Sequence, residues 1–134
     1  MFLVSLLQRG VGPLVLRNLR NGAVLATTLE AAFDSSSRRK GLLGRDGLAT
    51  GSATIIAPCS AIHTFFMRFT IDVIFASRNG RVVKVYPSLP PGRIGFAWRA
   101  FAAIELPAGT AAAANVTRGD LLALAVEKGR TARA

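Results

Sequence analysis

The sequence predicts an α+β fold: a single domain of mostly antiparallel strands that curl into a barrel-like sheet, accompanied by two short helices. Its 134 residues, about half of them hydrophobic, suffice for one domain with a packed core. Short apolar or alternating segments follow one another and are separated by Gly, Pro and Asn. No long helical segment stands between them to carry a crossover, so neighbouring strands are expected to pair antiparallel.

Two Asn-Gly pairs mark the tightest turns that the sequence predicts. Asn and Gly tolerate the positive φ angles of a two-residue hairpin turn, so each pair is expected to join two strands. The pairs are Asn21-Gly22 and Asn79-Gly80. The predicted strands around them are 14–19 with 23–30, and 71–77 with 81–89.

Two segments have the composition of short helices. In DSSSRRKGLLGR, Asp34 or one of the serines after it can cap a helix over 35–43, and Gly44 can close it. The basic residues at 38–40 lie toward the end of that helix, where its dipole favours cations. The alanine-rich segment 109–116 is the second predicted helix, because alanine has the highest helix propensity.

The remaining segments complete the predicted sheet. The segment 90–99, PPGRIGFAWR, is expected to be a loop because it is rich in Pro and Gly. Strands are expected at 52–58, 63–67 and 100–108, and a turn followed by a strand at 119–127.

The predicted domain spans 13–127 and leaves an N-terminal segment at 1–12 and a frayed tail at 128–134. The apolar run that opens the chain is too short to span a bilayer and is interrupted by Arg9. It also lacks the basic start of a signal peptide, so we expect a cytoplasmic protein without a membrane span, and export is the alternative. The single cysteine excludes an intramolecular disulfide.

The chain is strongly basic, with 17 Lys and Arg against 7 Asp and Glu and a net charge of +10. The excess is spread along the sequence, apart from the basic run at 38–40. Diffuse positive charge is typical of an ordinary arginine-rich surface, and it also favours weak, non-specific binding to nucleic acid or other anions.

The segment CSAIHTFFMRFTID at 59–72 contains the only cysteine and the only histidine of the chain. Cys59 and His63 form a catalytic pair only if the chain between them coils through a turn. A metal ion needs three or four ligands, and only Asp72 and Glu105 could join these two, so we expect no metal site. Otherwise Cys59 is a small buried hydrophobe and His63 is a packed histidine at a strand end.

Two acidic residues stand inside apolar strands. Asp72 lies between Ile71 and Val73, and Glu105 lies in AAIELPAG. A buried carboxylate must be paired or hydrogen-bonded, since its desolvation is otherwise costly. If the turn before Asp72 is short, His63 can face it. The two acids therefore indicate either one polar cavity or two separate structural anchors.

Five blocks of the sequence occur together in a characteristic order. They are RRKGLLGR, CSAIHTFFMRFTIDVIFA, GRVVKVYPSLPPGR, AIELPAG and GDLL. As a set they resemble the small prokaryotic family known as domain of unknown function 192, over residues 13–127. The resemblance implies a compact, barrel-like α+β domain, and it implies no activity because none is established for the family. The residues that the family pattern marks are Arg39, Gly41, Leu42, Arg45, Cys59, His63, Thr64, Met67, Ile71, Asp72, Pro91, Glu105, Pro107, Gly109, Gly119 and Asp120.

From these residues we predict a binding protein with a pocket for a small polar ligand around His63 and Asp72. Two alternatives stay open: a hydrolase-type enzyme that uses His63 and Cys59, and an accessory nucleic-acid-binding protein that acts through its positive charge. No cofactor is expected. The candidate residues of the pocket are Arg39, Arg45, Cys59, His63, Thr64, Met67, Asp72 and Glu105.

Overall fold

The computed structural model describes residues 14–33 and 44–126. Within them the chain forms a strand-rich single domain with ten strands and one short helix, numbered here in chain order. The elements are β1 (Leu14–Asn18), β2 (Val24–Ala26), β3 (Thr28–Ala32), β4 (Ser52–Ile56), β5 (Ala61–His63), β6 (Ile71–Ala76), β7 (Val82–Leu89), β8 (Ile94–Phe96), β9 (Ala102–Pro107), α1 (Thr110–Ala113) and β10 (Leu122–Val126).

The strands form three sheets. A five-stranded sheet has the order β3-β4-β9-β6-β7, a three-stranded sheet has the order β10-β1-β2, and β5 pairs with β8. Every pair except β3–β4 is antiparallel, which confirms the prediction of mostly antiparallel strands. In the described part of the chain the sheets are not closed into a barrel, so the barrel-like shape is not confirmed.

The five-stranded sheet is covered on both faces. Its strands β6 and β9 are buried along almost their whole length, which explains their apolar runs IDVIFA and AAIELP. One face packs against the three-stranded sheet and α1 around Ile104 and Leu106, and we name this the first core. The other face packs around Val73, Phe75 and Ala103, and we name this the second core.

Side chains alternate between these two faces along each strand. Ile104 and Leu106 belong to the first core, so Glu105, which lies between them, faces the second core. On β6, Ile74 belongs to the first core, and Asp72 lies directly opposite Leu106 in the register. The two embedded acids therefore lie on opposite faces of one sheet.

The first Asn-Gly hairpin is shorter than the sequence predicts. β1 and β2 pair antiparallel across it, but the predicted strand 23–30 is divided at Thr27. The N–H groups of Thr27 and Thr28 both donate to the carbonyl of Gly51, at 2.8 and 3.1 Å. These bonds direct β3 into the five-stranded sheet, where it pairs parallel with β4.

The second Asn-Gly hairpin joins β6 and β7, as predicted. The N–H of Ser77 donates to the carbonyl of Arg81 at 2.9 Å, and the N–H of Gly80 donates to that of Ser77 at 3.0 Å. Gly80 is buried with a φ of 93°, and a Cβ atom there would collide with the carbonyl oxygen of Leu122. Only glycine fits this position.

The segment around β5 differs most from the prediction. β5 ends at His63, and residues 64–70 form a turn where the sequence predicts the strand 63–67. Phe66 has a φ of 68°, which a strand does not accommodate. β8 lies within the segment 90–99, predicted as a loop, and supplies the partner of β5.

α1 is shorter than the predicted helix 109–116. The predicted helix 35–43 lies outside the described residues, as do the segments 1–12 and 128–134. Within the described ranges, no helix has the length and apolar character needed to cross a membrane.

Candidate functional site

Asp72 is a structural anchor between three elements. It is fully buried, and its carboxylate accepts three backbone N–H groups. Oδ1 accepts from Ser88 at 2.8 Å, and Oδ2 accepts from Gly109 at 3.1 Å and from Ala111 at 2.8 Å. Backbone groups of β7 and of the first turn of α1 therefore satisfy Asp72, and His63 is not its partner.

His63 lies at the exposed end of β5. Its ring stacks on Phe65, with the centroids 5.3 Å apart and the planes at 24°. The three ion pairs formed by the described residues do not include His63. Its position is that of an exposed surface histidine rather than of a base held by a carboxylate.

Cys59 is partly buried and packs against the second core. Its N–H donates to the carbonyl of Phe101 at 2.8 Å, and its thiol donates to the carbonyl of Ala61 at 3.2 Å. These are contacts of a packed side chain that is bonded to the backbone.

Thr64 holds two loops together. It is fully buried, and its hydroxyl donates to the carbonyl of Pro90 at 2.6 Å and accepts the N–H of Arg93 at 2.8 Å. Its own carbonyl accepts the N–H groups of Met67 and Gly92, at 3.2 and 3.0 Å. The turn fixed in this way places Met67 in the second core.

Glu105 is the embedded acid whose buried oxygen has no partner. The residue is 3% exposed, and its Oε1 is buried without a hydrogen-bond partner among the described residues. The hydroxyl oxygen of Thr54 is also buried without a hydrogen-bond partner among the described residues. Thr54 lies directly opposite Glu105 in the register of β4 and β9, which puts their Cβ atoms about 4.5–5.5 Å apart on one face.

The polar residues continue to the edge of the sheet. Glu30 on β3 lies opposite Thr54, so Glu30, Thr54 and Glu105 occupy three neighbouring strands on the same face. Arg45 pairs with Glu30, with Nη2 and Oε2 2.8 Å apart. We name these four residues the polar row.

The two carboxyl groups of the polar row differ in their ionisation. Burial raises the pKa of Glu105 to about 7, and the positive charge of Arg45 opposes this only in part. The hydrogen bond from Arg45 instead holds the pKa of Glu30 below its ordinary value. Glu105 therefore exchanges a proton near neutral pH, and a pKa shifted in this way is common at functional sites.

The loop 44–51 lies beside the polar row. Leu48 packs against the second core, and Arg45 reaches β3 through its ion pair. A second exposed pair, between Asp46 and Arg68 at 2.8 Å, ties the loop to the turn that follows β5. Two ion pairs thus hold the loop on this face.

The structure brings some of the predicted site residues together on the face of the second core. Met67 is buried in that core, Cys59 packs against it, and Glu105 lies on the same face. Arg45 lies near enough for its charge to act on Glu105.

The other predicted site residues do not join them. Asp72 lies on the face of the first core, His63 is exposed, and Thr64 is bonded to the loop 90–93. The prediction of one hollow shared by His63, Asp72 and Glu105 is corrected accordingly, because strand alternation separates the two acids. Arg39 lies outside the described residues. Among those that are described, no three His, Cys, Asp or Glu side chains are grouped so as to hold a metal ion.

Thr54 is a residue of this face that the sequence pattern does not single out. Its signal resembles that of Asp72 and Glu105, since it is a polar residue within the apolar segment SATIIAP. Threonine is common in strands, so this signal is weak until the register places Thr54 opposite Glu105.

Comparisons with known proteins identify a family and a fold. The family model for domain of unknown function 192, described as an uncharacterized ACR, matches residues 16–124. A crystal structure of a protein of unknown function from Novosphingobium aromaticivorans has a TM-score of 0.70 and 22% identity, covering 82% of each chain. A crystal structure from Sinorhizobium meliloti, provisionally described as a transcription regulator, has a TM-score of 0.71 and 21% identity, covering 84% of this chain and 95% of that one. No curated protein matches the chain.

Identities at this level show that the fold is shared and carry no statement about activity. The family match shows more than a shared fold, because it covers most of the chain and includes the segments with Cys59, Asp72 and Glu105. The chain therefore belongs to the domain of unknown function 192 family.

Proposed function

We propose that this protein binds a small polar ligand at the polar row, with Glu105 and Thr54 as the groups that contact it. One observation carries the proposal: two polar side-chain atoms on one sheet face are buried and unpartnered within the described residues. An unsatisfied buried polar group costs roughly 1–3 kcal/mol. A bound ligand that supplies the missing hydrogen bonds would restore that stability.

The other embedded polar residues that the family resemblance marks have partners in the fold. Thr64 and Asp72 are bonded to backbone groups, and Asp120 accepts from Arg20 at 2.7 Å. No hydrogen bond from a described residue reaches Oε1 of Glu105. A structural role explains the first three residues and does not explain Glu105.

The surroundings of Glu105 define the chemistry of the ligand. With a pKa of about 7, its carboxyl accepts a hydrogen bond when ionised and donates one when protonated. The hydroxyl of Thr54 also does both, and the second core on the same face of the sheet offers apolar contact. The charge of Arg45 is already balanced by Glu30, so none of these groups favours an anion. They suit a neutral or cationic molecule that carries hydroxyl or amino groups.

Glu105 and Thr54 are only 3% and 4% exposed, so a ligand reaches them only if a neighbouring segment shifts. We propose that this segment is the loop 44–51, whose Arg45 pairs with Glu30 of the polar row. The two ion pairs that hold this loop are exposed, and such pairs contribute about 0.2–1 kcal/mol each and weaken with salt. Leu48 in the second core and the carbonyl of Gly51, which accepts two N–H groups, also hold the loop, so a shift of its first part around Arg45 and Asp46 disturbs the fewest contacts.

The enzyme alternative has less support in the contacts. A thiol nucleophile needs an adjacent base. The Cys59 thiol donates to the carbonyl of Ala61, and the ring of His63 stacks on Phe65 at the surface. Neither of these two contacts activates a nucleophile, and we propose binding because of the unpartnered atoms of Glu105 and Thr54.

The test compares ligand-induced stabilisation in three proteins: wild type, Glu105→Leu and a control, Ile56→Leu. The control is a volume-conserving change on β4, two positions from Thr54, which leaves both polar groups in place. Each protein is heated with and without amino alcohols, free amines and monosaccharides. We expect at least one compound to raise the Tm of wild type and of Ile56→Leu.

Glu105→Leu is expected to remain folded, because an apolar side chain removes the unsatisfied acid, and to lose the response to that compound. The proposal fails if no compound raises the Tm of wild type. It also fails if Glu105→Leu responds as wild type does.

A further inference from the structure

A groove beside β7 and β8 combines positive charge with exposed aromatic rings. Its volume is about 710 Å³, within the range of roughly 300–1,000 Å³ that is typical of ligand sites. We name it the basic groove, after the cations that line it together with two aromatic rings: Lys84, Arg99, Arg118, Phe96 and Trp98. None of these residues belongs to the polar row, so a role for the basic groove is independent of the function proposed above.

The two aromatic side chains of the basic groove are unusually exposed. Trp98 is 79% exposed and Phe96 is 49% exposed. Large aromatic residues normally bury most of their surface, and those that cluster at the surface mark interaction sites.

Hydrogen bonds fix the backbone that carries both rings. Trp98 lies in a turn that the N–H of Ala100 closes on the carbonyl of Ala97 at 3.1 Å. The N–H of Phe96 donates to the hydroxyl of Tyr86, which in turn donates to the carbonyl of Phe96, both at 3.0 Å. A backbone that is fixed before binding loses little conformational freedom when a partner stacks on the side chains it carries.

The cations of the basic groove have no acidic partner within the described part of the chain. The three ion pairs found there involve arginines that lie outside the groove. The two described acids that form no ion pair, Asp72 and Glu105, are buried. Among the described residues, no acid therefore balances the charges of Arg99 and Arg118. The ammonium of Lys84 donates to the carbonyl of Phe96 at 3.1 Å and lies 4.7 Å from the ring centroid of Tyr86, and its charge likewise has no acidic partner there.

The groove adjoins a second hollow of about 530 Å³. The two share Arg99, and the second adds Arg78 with the polar residues Ser77 and Asn79. The guanidinium of Arg78 lies 4.1 Å from the ring centroid of Phe101. The two hollows together give a track with four cations, which is more than one small anion needs.

We propose that the basic groove and the adjoining hollow bind single-stranded nucleic acid. A single strand presents phosphates at regular intervals, which match a track of uncompensated cations, and its bases stack on exposed aromatic rings with little sequence preference. An anionic bilayer also attracts cations and tryptophan, but a flat surface reaches only the rim of a concave groove. A strand can enter it.

The experiment uses Trp98, the only tryptophan of the chain, as the probe. The full chain is titrated with a fluorescently labelled oligothymidylate of about 16 nucleotides, the upper end of known site sizes for a single-strand-binding domain. Tryptophan emission and the anisotropy of the label are recorded together. Stacking on Trp98 is expected to quench its emission as the anisotropy rises.

Two sets of variants separate stacking from charge. Trp98→Ala is expected to weaken binding roughly 5- to 150-fold, the usual effect of removing one base–aromatic stack. The double variant Arg99→Ala/Arg118→Ala is expected to reduce the slope of log affinity against log salt by about 1.4, or about 0.7 for each lost phosphate contact. The controls are Phe66→Ala, which removes an exposed aromatic ring, and Arg93→Ala, which removes one exposed arginine, and neither residue lines either hollow.

The controls are expected to keep nearly the affinity of wild type, and circular dichroism checks that every variant is folded. Three results would overturn the proposal. The first is no quenching of Trp98 at low salt, and the second is an equal loss of affinity in groove and control variants. The third is binding to vesicles that contain anionic lipid without binding to the oligonucleotide.

Discussion

Replacing Glu105 by glutamine is expected to stabilise the protein at neutral pH and to have little effect in acid. Glutamine keeps the shape of the side chain and removes its titration. In the folded chain, burial raises the pKa of Glu105 from 4.5 to about 7. In the unfolded chain the carboxyl is hydrated and returns to its ordinary value. The folded state therefore holds this proton more tightly than the unfolded state does.

The sign and size of the effect follow from that difference. Below a pH of about 4.5 the carboxyl is protonated in both states, and its titration has no effect on stability. As the pH rises from there to about 7, the unfolded state loses the proton and the folded state keeps it, so stability falls. Above about 7 the loss is complete. At 1.36 kcal/mol per pH unit it amounts to about 3 kcal/mol.

Urea unfolding at a series of pH values measures this loss directly, as the free energy of unfolding of Glu105→Gln minus that of wild type. This difference should grow from near zero at about pH 4 to about 3 kcal/mol at about pH 8. Glu30→Gln is the control of opposite sign. The hydrogen bond from Arg45 lowers the pKa of Glu30, so this variant should be less stable than wild type at neutral pH, and the two should converge in acid.

A difference between Glu105→Gln and wild type that stays flat across the pH series would refute the reasoning. So would a wild type that is the more stable protein at neutral pH. Either result would mean that Glu105 is ionised and partnered in the folded chain, which would also remove the basis of the proposed ligand site.

Three further changes test the structural anchors. Hydrogen bonding to Arg20 holds the pKa of Asp120 well below its usual range. Asp120→Asn should therefore be less stable than wild type at neutral pH, and the difference should shrink as the pH falls toward the folded-state pKa. Urea unfolding at a series of pH values measures this difference. Asp72→Asn has one acceptor oxygen for three N–H groups, so its free energy of unfolding in chemical denaturation should fall by about 2–4 kcal/mol. A decrease below about 1 kcal/mol would contradict the anchor role. Gly80→Ala should lower the Tm, because its Cβ would collide with the carbonyl oxygen of Leu122 at a φ of 93°, and an unchanged Tm would contradict this packing.

The Asn-Gly signals show how far local sequence predicts this fold. Asn79-Gly80 predicts the β6–β7 hairpin correctly, because its turn depends on adjacent residues. The first Asn-Gly pair predicts β1 and β2 but not the division at Thr27, which depends on the carbonyl of the distant Gly51. β8 lies within the Pro- and Gly-rich segment 90–99, which has the composition of a loop, and its pairing with β5 makes it a strand. Where pairing with a distant segment determines the bounds of a strand, the local sequence pattern does not predict them.

The candidate site shows the same limit. The sequence predicts that Asp72 and Glu105 are special, because both are acids in apolar strands. It does not give the register, which sets the face of each side chain and hence its partners. Cys59 and His63 stand out by their rarity in the chain, and rarity says nothing about environment. Thr54 has the right environment but a common residue type, so the sequence alone does not reveal it.

The ligands proposed for the polar row and the basic groove differ in charge, so the two proposals can be tested separately. We propose a neutral or cationic molecule for Glu105 and an anionic strand for the cations beside Trp98. The two sites share no residue, and mutations at sites without shared partners usually have additive effects. Glu105→Leu should therefore bind the oligonucleotide with wild-type affinity, and Trp98→Ala should keep the ligand-induced rise in Tm. If either variant abolished both responses while remaining folded, the two surfaces would be parts of one site, and the assignment of two ligands would have to be withdrawn.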